Sequence, residues 1–103
     1  MVKVQYTFEA KDDLKNIYSF IALDSSFHAK RFIKALKLHT GILKSHPEIG
    51  SLVYPGTFKN LRVLKYKSYR IIYHFSPDIT TIITIHHHSR LLENIPAVMG
   101  HQE

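Results

Sequence analysis

The spacing of apolar residues changes along the chain from every second position to every third or fourth, and then back again. Residues 2–8 alternate, which predicts a half-buried strand with Val2, Val4, Tyr6 and Phe8 on its apolar face. Two helical stripes follow, formed by Leu14, Ile17, Tyr18 and Ile21 and then by Ala29, Phe32, Ile33, Leu36 and Leu43. Three strand-like runs at 61–66, 69–76 and 80–87 come next, separated by Lys67-Ser68 and Pro77-Asp78. The predicted order is therefore β-α-α-β-β-β.

The residues between these segments predict how they pack. Thr7 is a suitable N-cap for the first helix, which should run to about Ala22, and Asp24-Ser25-Ser26 provides N-cap residues for the second. Because this connection is so short, the helices must return antiparallel as a hairpin. We expect one α+β domain over residues 1–103, with two layers: the helical hairpin packed on a mainly antiparallel four-stranded sheet. The opposite face of the sheet is then a candidate binding surface.

Composition excludes several classes of function. The 103 residues include no cysteine, so disulfide scaffolds and cysteine-based zinc sites are excluded. No apolar run approaches the roughly 18 residues needed to span a bilayer, and Met1-Val2-Lys3 is not typical of a signal peptide. We expect a cytoplasmic protein without membrane association. A glycine-rich phosphate loop, a nucleophile elbow and a paired-carboxylate site are all missing from the sequence, which argues against nucleotide hydrolysis, acyl transfer and glycoside chemistry.

Positive charge is concentrated in the middle of the chain. The formal net charge is +6, and ten Lys and Arg residues lie between Ser25 and Pro77 against a single acid, Glu48. Such a surface favours a polyanionic partner, either nucleic acid or an acidic protein, although it could also serve only solubility.

Cations and aromatic residues interleave on two neighbouring predicted strands. Arg and Lys side chains contact phosphates, and tyrosine rings can stack on exposed bases. The candidate binding residues here are Arg62, Lys65, Lys67 and Arg70. The tyrosines between them are better explained as large strand residues with good β propensity. Arg70 is more informative, because a central strand rarely carries an unpaired Arg, and we expect it on the face away from the hairpin.

Three consecutive histidines end the last predicted strand. Alternation puts His86 and His88 on one face, where two imidazoles could chelate a metal, but no carboxylate or thiol accompanies them in the sequence and we predict no metal site. His87, or His88 if the register differs by one, could act as a general acid or base beside Arg90. The alternative is a polar strand end that bonds only to local backbone.

Several segments together resemble the RelE/ParE superfamily of bacterial toxins over nearly the whole chain. Residues 10–14, with Ile17, resemble its first helix, and residues 29–33 and 43–50 resemble its second helix with a Pro-x-x-Gly exit. Asn60-Leu61-Arg62 and residues 69–73 resemble its central strands. Residues 85–90 resemble its last strand, in which a His precedes an Arg by three positions; the acid that often follows this Arg is replaced by Leu91.

The resemblance implies the fold predicted above and a cognate antitoxin that wraps and neutralises the toxin through an acidic or amphipathic segment. The helical hairpin and the His-x-x-Arg ending are more similar to the ParE branch, which poisons DNA gyrase by binding and has no chemistry of its own. Arg62, Arg70, Arg90 and the C-terminal segment would then face gyrase or the antitoxin. No cofactor is implied. A homodimer or a toxin–antitoxin hetero-oligomer would be the expected assembly.

The alternative is the RelE branch, which cuts messenger RNA in the ribosome. Lys65 and Lys67 would then hold phosphates, while Arg70, His87 and Arg90 would be catalytic, with His87 (or His88) moving the proton. A second alternative, independent of the resemblance, is a basic module that binds nucleic acid through the same surface.

Overall fold

The computed structural model describes residues 2–52 and 61–89. Its elements are β1 (Lys3–Tyr6), α1 (Phe8–Ala22), α2 (Ser26–Thr40), a short 3₁₀ helix (Gly41–Lys44), β2 (Ser51–Leu52), β3 (Arg62–Tyr66), β4 (Tyr69–Phe75) and β5 (Ile79–His87). The sheet order is β1-β5-β4-β3-β2, with β1 parallel to β5 and every other pair antiparallel. The predicted α+β fold with a helical hairpin on a mainly antiparallel sheet is confirmed. A short strand that was not predicted, β2, makes the sheet five-stranded rather than four-stranded.

Both helices begin where their capping residues predict. The Thr7 hydroxyl accepts a hydrogen bond from the Ala10 amide at 3.0 Å, and the Ser25 hydroxyl accepts one from the His28 amide at 3.2 Å. Because Thr7 starts the helix immediately, β1 ends at Tyr6 and Phe8 becomes the first residue of α1. The prediction that Phe8 belongs to the apolar face of the strand is wrong: its side chain is 79% exposed.

The core lies between the hairpin and one face of the sheet. Its buried residues are Ala10, Leu14, Ile17, Leu36, Leu43, Ile71, Tyr73, Ile82 and Ile85. Ile82 and Ile85 lie three positions apart on β5 yet both reach this core, because the β4–β5 register shifts between Ile72 and Tyr73. Such a bulge turns the strand so that its residues beyond the shift change faces.

The end of β5 extends past its partner β1, and α1 covers the edge that this leaves. The Asp13 carboxylate accepts hydrogen bonds from the Thr84 hydroxyl at 2.6 Å and from the Ile85 amide at 2.9 Å. The Thr7 hydroxyl donates to the Ile83 carbonyl at 2.6 Å. These contacts satisfy edge groups of the sheet that would otherwise have no strand partner.

Candidate functional site

A row of cationic and imidazole side chains crosses the face of the sheet that points away from the helices. In the strand register Lys65 lies directly opposite Arg70, and Arg70 directly opposite His86. The next row, Leu64, Ile71 and Ile85, packs with the hairpin, so alternation sends the Lys65 row to the far face. The structure therefore brings two of the predicted binding residues, Lys65 and Arg70, together, and adds His86.

Arg70 has an unusual environment for a guanidinium. Its side chain is half-buried, and Nε and Nη2 are shielded from solvent without a hydrogen-bond partner in the described part of the chain. Like charges placed directly opposite on neighbouring strands also repel, as Lys65 and Arg70 do here. Unpaired buried donors beside a second cation are suited to an anion such as a phosphate or carboxylate, which would satisfy both features.

His86 is held at the other end of this row. Its Nε2 lies 3.9 Å from the Asp13 carboxylate, and both side chains are 16% exposed. The sequence pattern indicated His86 only as a possible metal ligand. Within residues 2–52 and 61–89, no three His, Asp or Glu side chains converge in a way that could hold a metal ion.

His87 lies on the opposite side from Arg70. Its strand partner is Tyr69, whose ring it meets nearly edge-on at 5.5 Å, and its Nδ1 is 2.9 Å from the Ser89 hydroxyl. His88 follows with its ring 4.5 Å from that of His87, and its amide donates to the Ser68 carbonyl. The structure thus separates His87 from Arg70 across the sheet. Arg90, the third predicted member of that set, lies outside the described residues.

Arg62 also lies apart from Arg70. Its partner in the register is Tyr73, which belongs to the core, so Arg62 is on the hairpin side of the sheet. Its Nη1 donates to the carbonyl of Glu48 at 3.0 Å and to that of Gly50 at 2.7 Å, and the guanidinium lies 5.5 Å from the centre of the Phe75 ring. The predicted single surface of Arg62 and Arg70 is not formed. Arg62 instead holds residues 45–50, which follow the 3₁₀ helix and are called here the turn after α2.

The hairpin between β3 and β4 presents the remaining predicted cation. Lys67 occupies the two-residue turn with a positive φ of 52°, a conformation that the tight hairpin requires. Its side chain is exposed, and its ammonium lies 5.7 Å from the centre of the Tyr66 ring. Lys67 therefore stands near the end of the Lys65 row, free to meet a partner.

The outer side of the hairpin carries a groove of about 520 Å³ between α1 and α2. Leu14, Tyr18 and Ile33 contribute its apolar lining, and Lys11, Lys15 and Lys37 supply charge. An apolar lining with a cationic rim matches an amphipathic segment that carries acids along its edges. No sequence motif predicts this groove, to which α2 contributes Ile33 and the cation Lys37.

The far face of the sheet is not open throughout. Ile72 and Thr84, which the register puts on that face, are fully or almost fully buried. The expectation of a free sheet face therefore applies to the end occupied by Lys65 and Lys67, where both side chains are exposed. No helix in the described ranges is long and apolar enough to cross a membrane.

Comparisons with known proteins agree with this geometry. The sequence model of a family described as the ParE toxin of the type II toxin–antitoxin system parDE matches residues 4–92. A chain of the chromosomal ParDE TA system from P. aeruginosa has a similar fold, with a TM-score of 0.71 at 18% identity over 84% of this chain and 96% of that one. A chain of the toxin–antitoxin complex RelBE2 from Mycobacterium tuberculosis gives a TM-score of 0.63 at 19% identity over 84% and 93%. Among curated protein sequences, none matches this chain significantly.

Proposed function

Because this chain belongs to the family of ParE toxins of type II toxin–antitoxin systems, we propose that it binds and poisons DNA gyrase and that a cognate antitoxin neutralises it. The observation that carries the proposal is the family match, which extends from β1 through both helices and the whole sheet. Such a toxin acts in the cytoplasm, arrests growth when released from its antitoxin, and contributes to plasmid stabilisation where a plasmid carries it.

The separation of the candidate catalytic residues favours binding over chemistry. An RNA-cleaving site would need a proton-transferring group within hydrogen-bond reach of the reacting atoms and beside the cation that stabilises the phosphate. His87 and Arg70 are on opposite sides of the sheet. His86, which is beside Arg70, is directed toward Asp13.

The groove of the helical hairpin supports the antitoxin part of the proposal. Its lysines, Lys11, Lys15 and Lys37, surround an apolar lining, and the chain as a whole has a formal charge of +6. An acidic amphipathic segment of an antitoxin would bury its apolar side in the groove and pair its carboxylates with the lysines. A toxin–antitoxin hetero-oligomer is the assembly that follows.

The test of gyrase as the target is a supercoiling assay with the purified protein free of antitoxin. We expect inhibition at micromolar protein or below, together with relief on adding the product of the neighbouring reading frame. Unchanged supercoiling at tens of micromolar would refute gyrase as the target, whatever the protein does to growth.

A second candidate function, ribosome-dependent cleavage of messenger RNA, is favoured by the Lys65–Arg70–His86 row. Arg70 has unpaired donors suited to a phosphate, and His86 rather than His87 would then be the group that moves a proton. Primer extension on messenger RNA in a translating extract tests it. Breaks within the ribosomal A site, lost on Arg70→Met, would support cleavage, and intact message in an inhibited extract would exclude it.

A further inference from the structure

The outward side of α2 carries two large apolar side chains with two cations between them. Phe27, Arg31, Lys34 and Leu38 are spaced by four, three and four residues, so they lie on one line along the helix, here called the outer ridge. Ala29, Leu36 and Thr40 are buried on the other side of α2, so the outer ridge faces away from the core. It extends over about 16 Å at 1.5 Å per residue.

The two apolar side chains of the outer ridge take no part in the core of the isolated chain. Phe27 is 62% exposed and Leu38 is 72% exposed, whereas the core is complete without either side chain. The guanidinium of Arg31 lies 5.6 Å from the centre of the Phe27 ring, within the range of a cation–π contact. Large apolar side chains exposed on a charged surface are typical of a protein-binding site.

The charge of α2 restricts the kind of partner. The helix has Lys30, Arg31, Lys34 and Lys37 and no acid in its 15 residues. A second copy of this chain would bring like charges together on the two ridges. The phosphate backbone of a nucleic acid would pair with the cations but offers no apolar recess for Phe27 and Leu38. An acidic protein surface with apolar recesses satisfies both features of the ridge.

We infer that the outer ridge is the surface through which the toxin grips gyrase, with Phe27 and Leu38 as apolar anchors and Arg31 and Lys34 paired to acids of the enzyme. The inference rests on the proposed function. The ridge lies on a different side of α2 from the groove, which takes Ile33 and Lys37 from that helix. One helix would therefore present two separate protein-binding surfaces.

The test compares two double charge reversals that are matched in size. Arg31→Glu with Lys34→Glu alters the ridge, and Lys3→Glu with Lys44→Glu alters two exposed lysines that belong to neither the ridge nor the groove. Each pair lowers the formal charge of +6 by four, two at each position, so net charge is the same in both variants. A third variant, Phe27→Ala with Leu38→Ala, removes the anchors without changing charge. Thermal unfolding checks that each protein is folded.

The measurement is the protein concentration that half-inhibits gyrase supercoiling. We expect both ridge variants to need at least about tenfold more protein, while the variant of Lys3 and Lys44 matches the wild type. Equal loss in the ridge charge variant and in the variant of Lys3 and Lys44 would mean that net charge alone matters and would overturn the ridge. If both ridge variants inhibit gyrase as strongly as the wild type, the ridge is not the gyrase-binding surface, although gyrase stays the target. A wild type that never inhibits gyrase would remove both proposals. Arg31→Ala repeats the test if the double reversal disturbs folding.

Discussion

The hydroxyl of Tyr73 is the contact whose removal tests the packing of this fold most directly. Tyr73 is completely buried in β4, and its hydroxyl donates to the Pro47 carbonyl at 2.6 Å and accepts from the Gly50 amide at 2.9 Å. A Cβ added at Gly50 would lie 2.7 Å from the same hydroxyl oxygen and 2.8 Å from the Val63 carbonyl oxygen. The turn after α2 therefore packs against the sheet so closely that no side chain fits at Gly50.

We predict that Tyr73→Phe lowers the free energy of unfolding by about 2–4 kcal/mol. Loss of the neutral hydrogen bond to Pro47 costs roughly 1 kcal/mol net, and the buried Gly50 amide left without its acceptor costs about 1–3 kcal/mol. The two bonds of the hydroxyl are lost together, and the unpaired amide of Gly50 stays buried. For a chain of this length the melting temperature should fall by roughly 10–30 °C.

Two other tyrosines provide matched controls in urea denaturation. Among the described residues, the Tyr6 hydroxyl makes one hydrogen bond, with the Thr40 hydroxyl at 2.7 Å, so Tyr6→Phe should cost about 1 kcal/mol. The Tyr18 hydroxyl makes no hydrogen bond to any described residue, so Tyr18→Phe should lie within about 0.5 kcal/mol of the wild type. The expected order of cost is Tyr73, Tyr6, Tyr18. If Tyr73→Phe is no more destabilising than Tyr18→Phe, the account of the turn is incorrect.

Three further predictions concern titration and pairing. Burial raises the pKa of Tyr73 and of Tyr6 above the usual 10.0. The stability that their neutral hydroxyls give to the folded protein should therefore be complete below pH 10 and be lost as the pH rises above it. Tyrosinate absorbance and melting curves measured against pH will check this. Asp13→Ala removes the acceptor of two hydrogen bonds from β5 and should lower the free energy of unfolding by about 2 kcal/mol in urea denaturation. A loss smaller than about 0.5 kcal/mol would contradict the role of Asp13 in holding β5. Arg70→Met removes buried unpaired donors and a like charge that faces Lys65. The free energy of unfolding should therefore be unchanged or rise by up to about 1 kcal/mol. A lowered melting temperature would show instead that Arg70 supports the fold.

The sequence was sufficient to predict both helices and the strands β1, β3, β4 and β5 because their signals are local, whereas the two residues of β2 are too few to show an alternation. Thr7 and Ser25 each place an N-cap before an apolar stripe of helical spacing, and both helices begin there. The two-residue turn at Lys67-Ser68 likewise fixes the register of β3 against β4, since so short a loop leaves no slack. The α+β fold then follows from the order of the elements and the need to bury one stripe of each helix.

The candidate site was less predictable because its residues meet through long-range pairing. The register of β5 depends on the bulge between Ile72 and Tyr73, and the run of apolar residues in β5 gives no alternation that would reveal it. His86 rather than His87 therefore lies opposite Arg70. The contacts of Arg62 with the carbonyls of Glu48 and Gly50 are equally invisible in sequence, since they join backbone and side chain across a loop.

The cations of this chain differ in whether their side chains hold the fold or are exposed. Arg62 is committed to the turn after α2, and its guanidinium cannot leave without exposing two carbonyls that it satisfies. Within the described ranges, the groove lysines and the cations of the outer ridge hold no turn in this way, and neither do Lys65 and Lys67 on the far side of the sheet. Substitution of these exposed residues should consequently change binding while leaving the melting temperature nearly unaltered. Substitution of Arg62 should lower both the melting temperature and the binding affinity. A cation whose loss lowers the melting temperature belongs to the scaffold, and one whose loss weakens binding alone belongs to a binding surface.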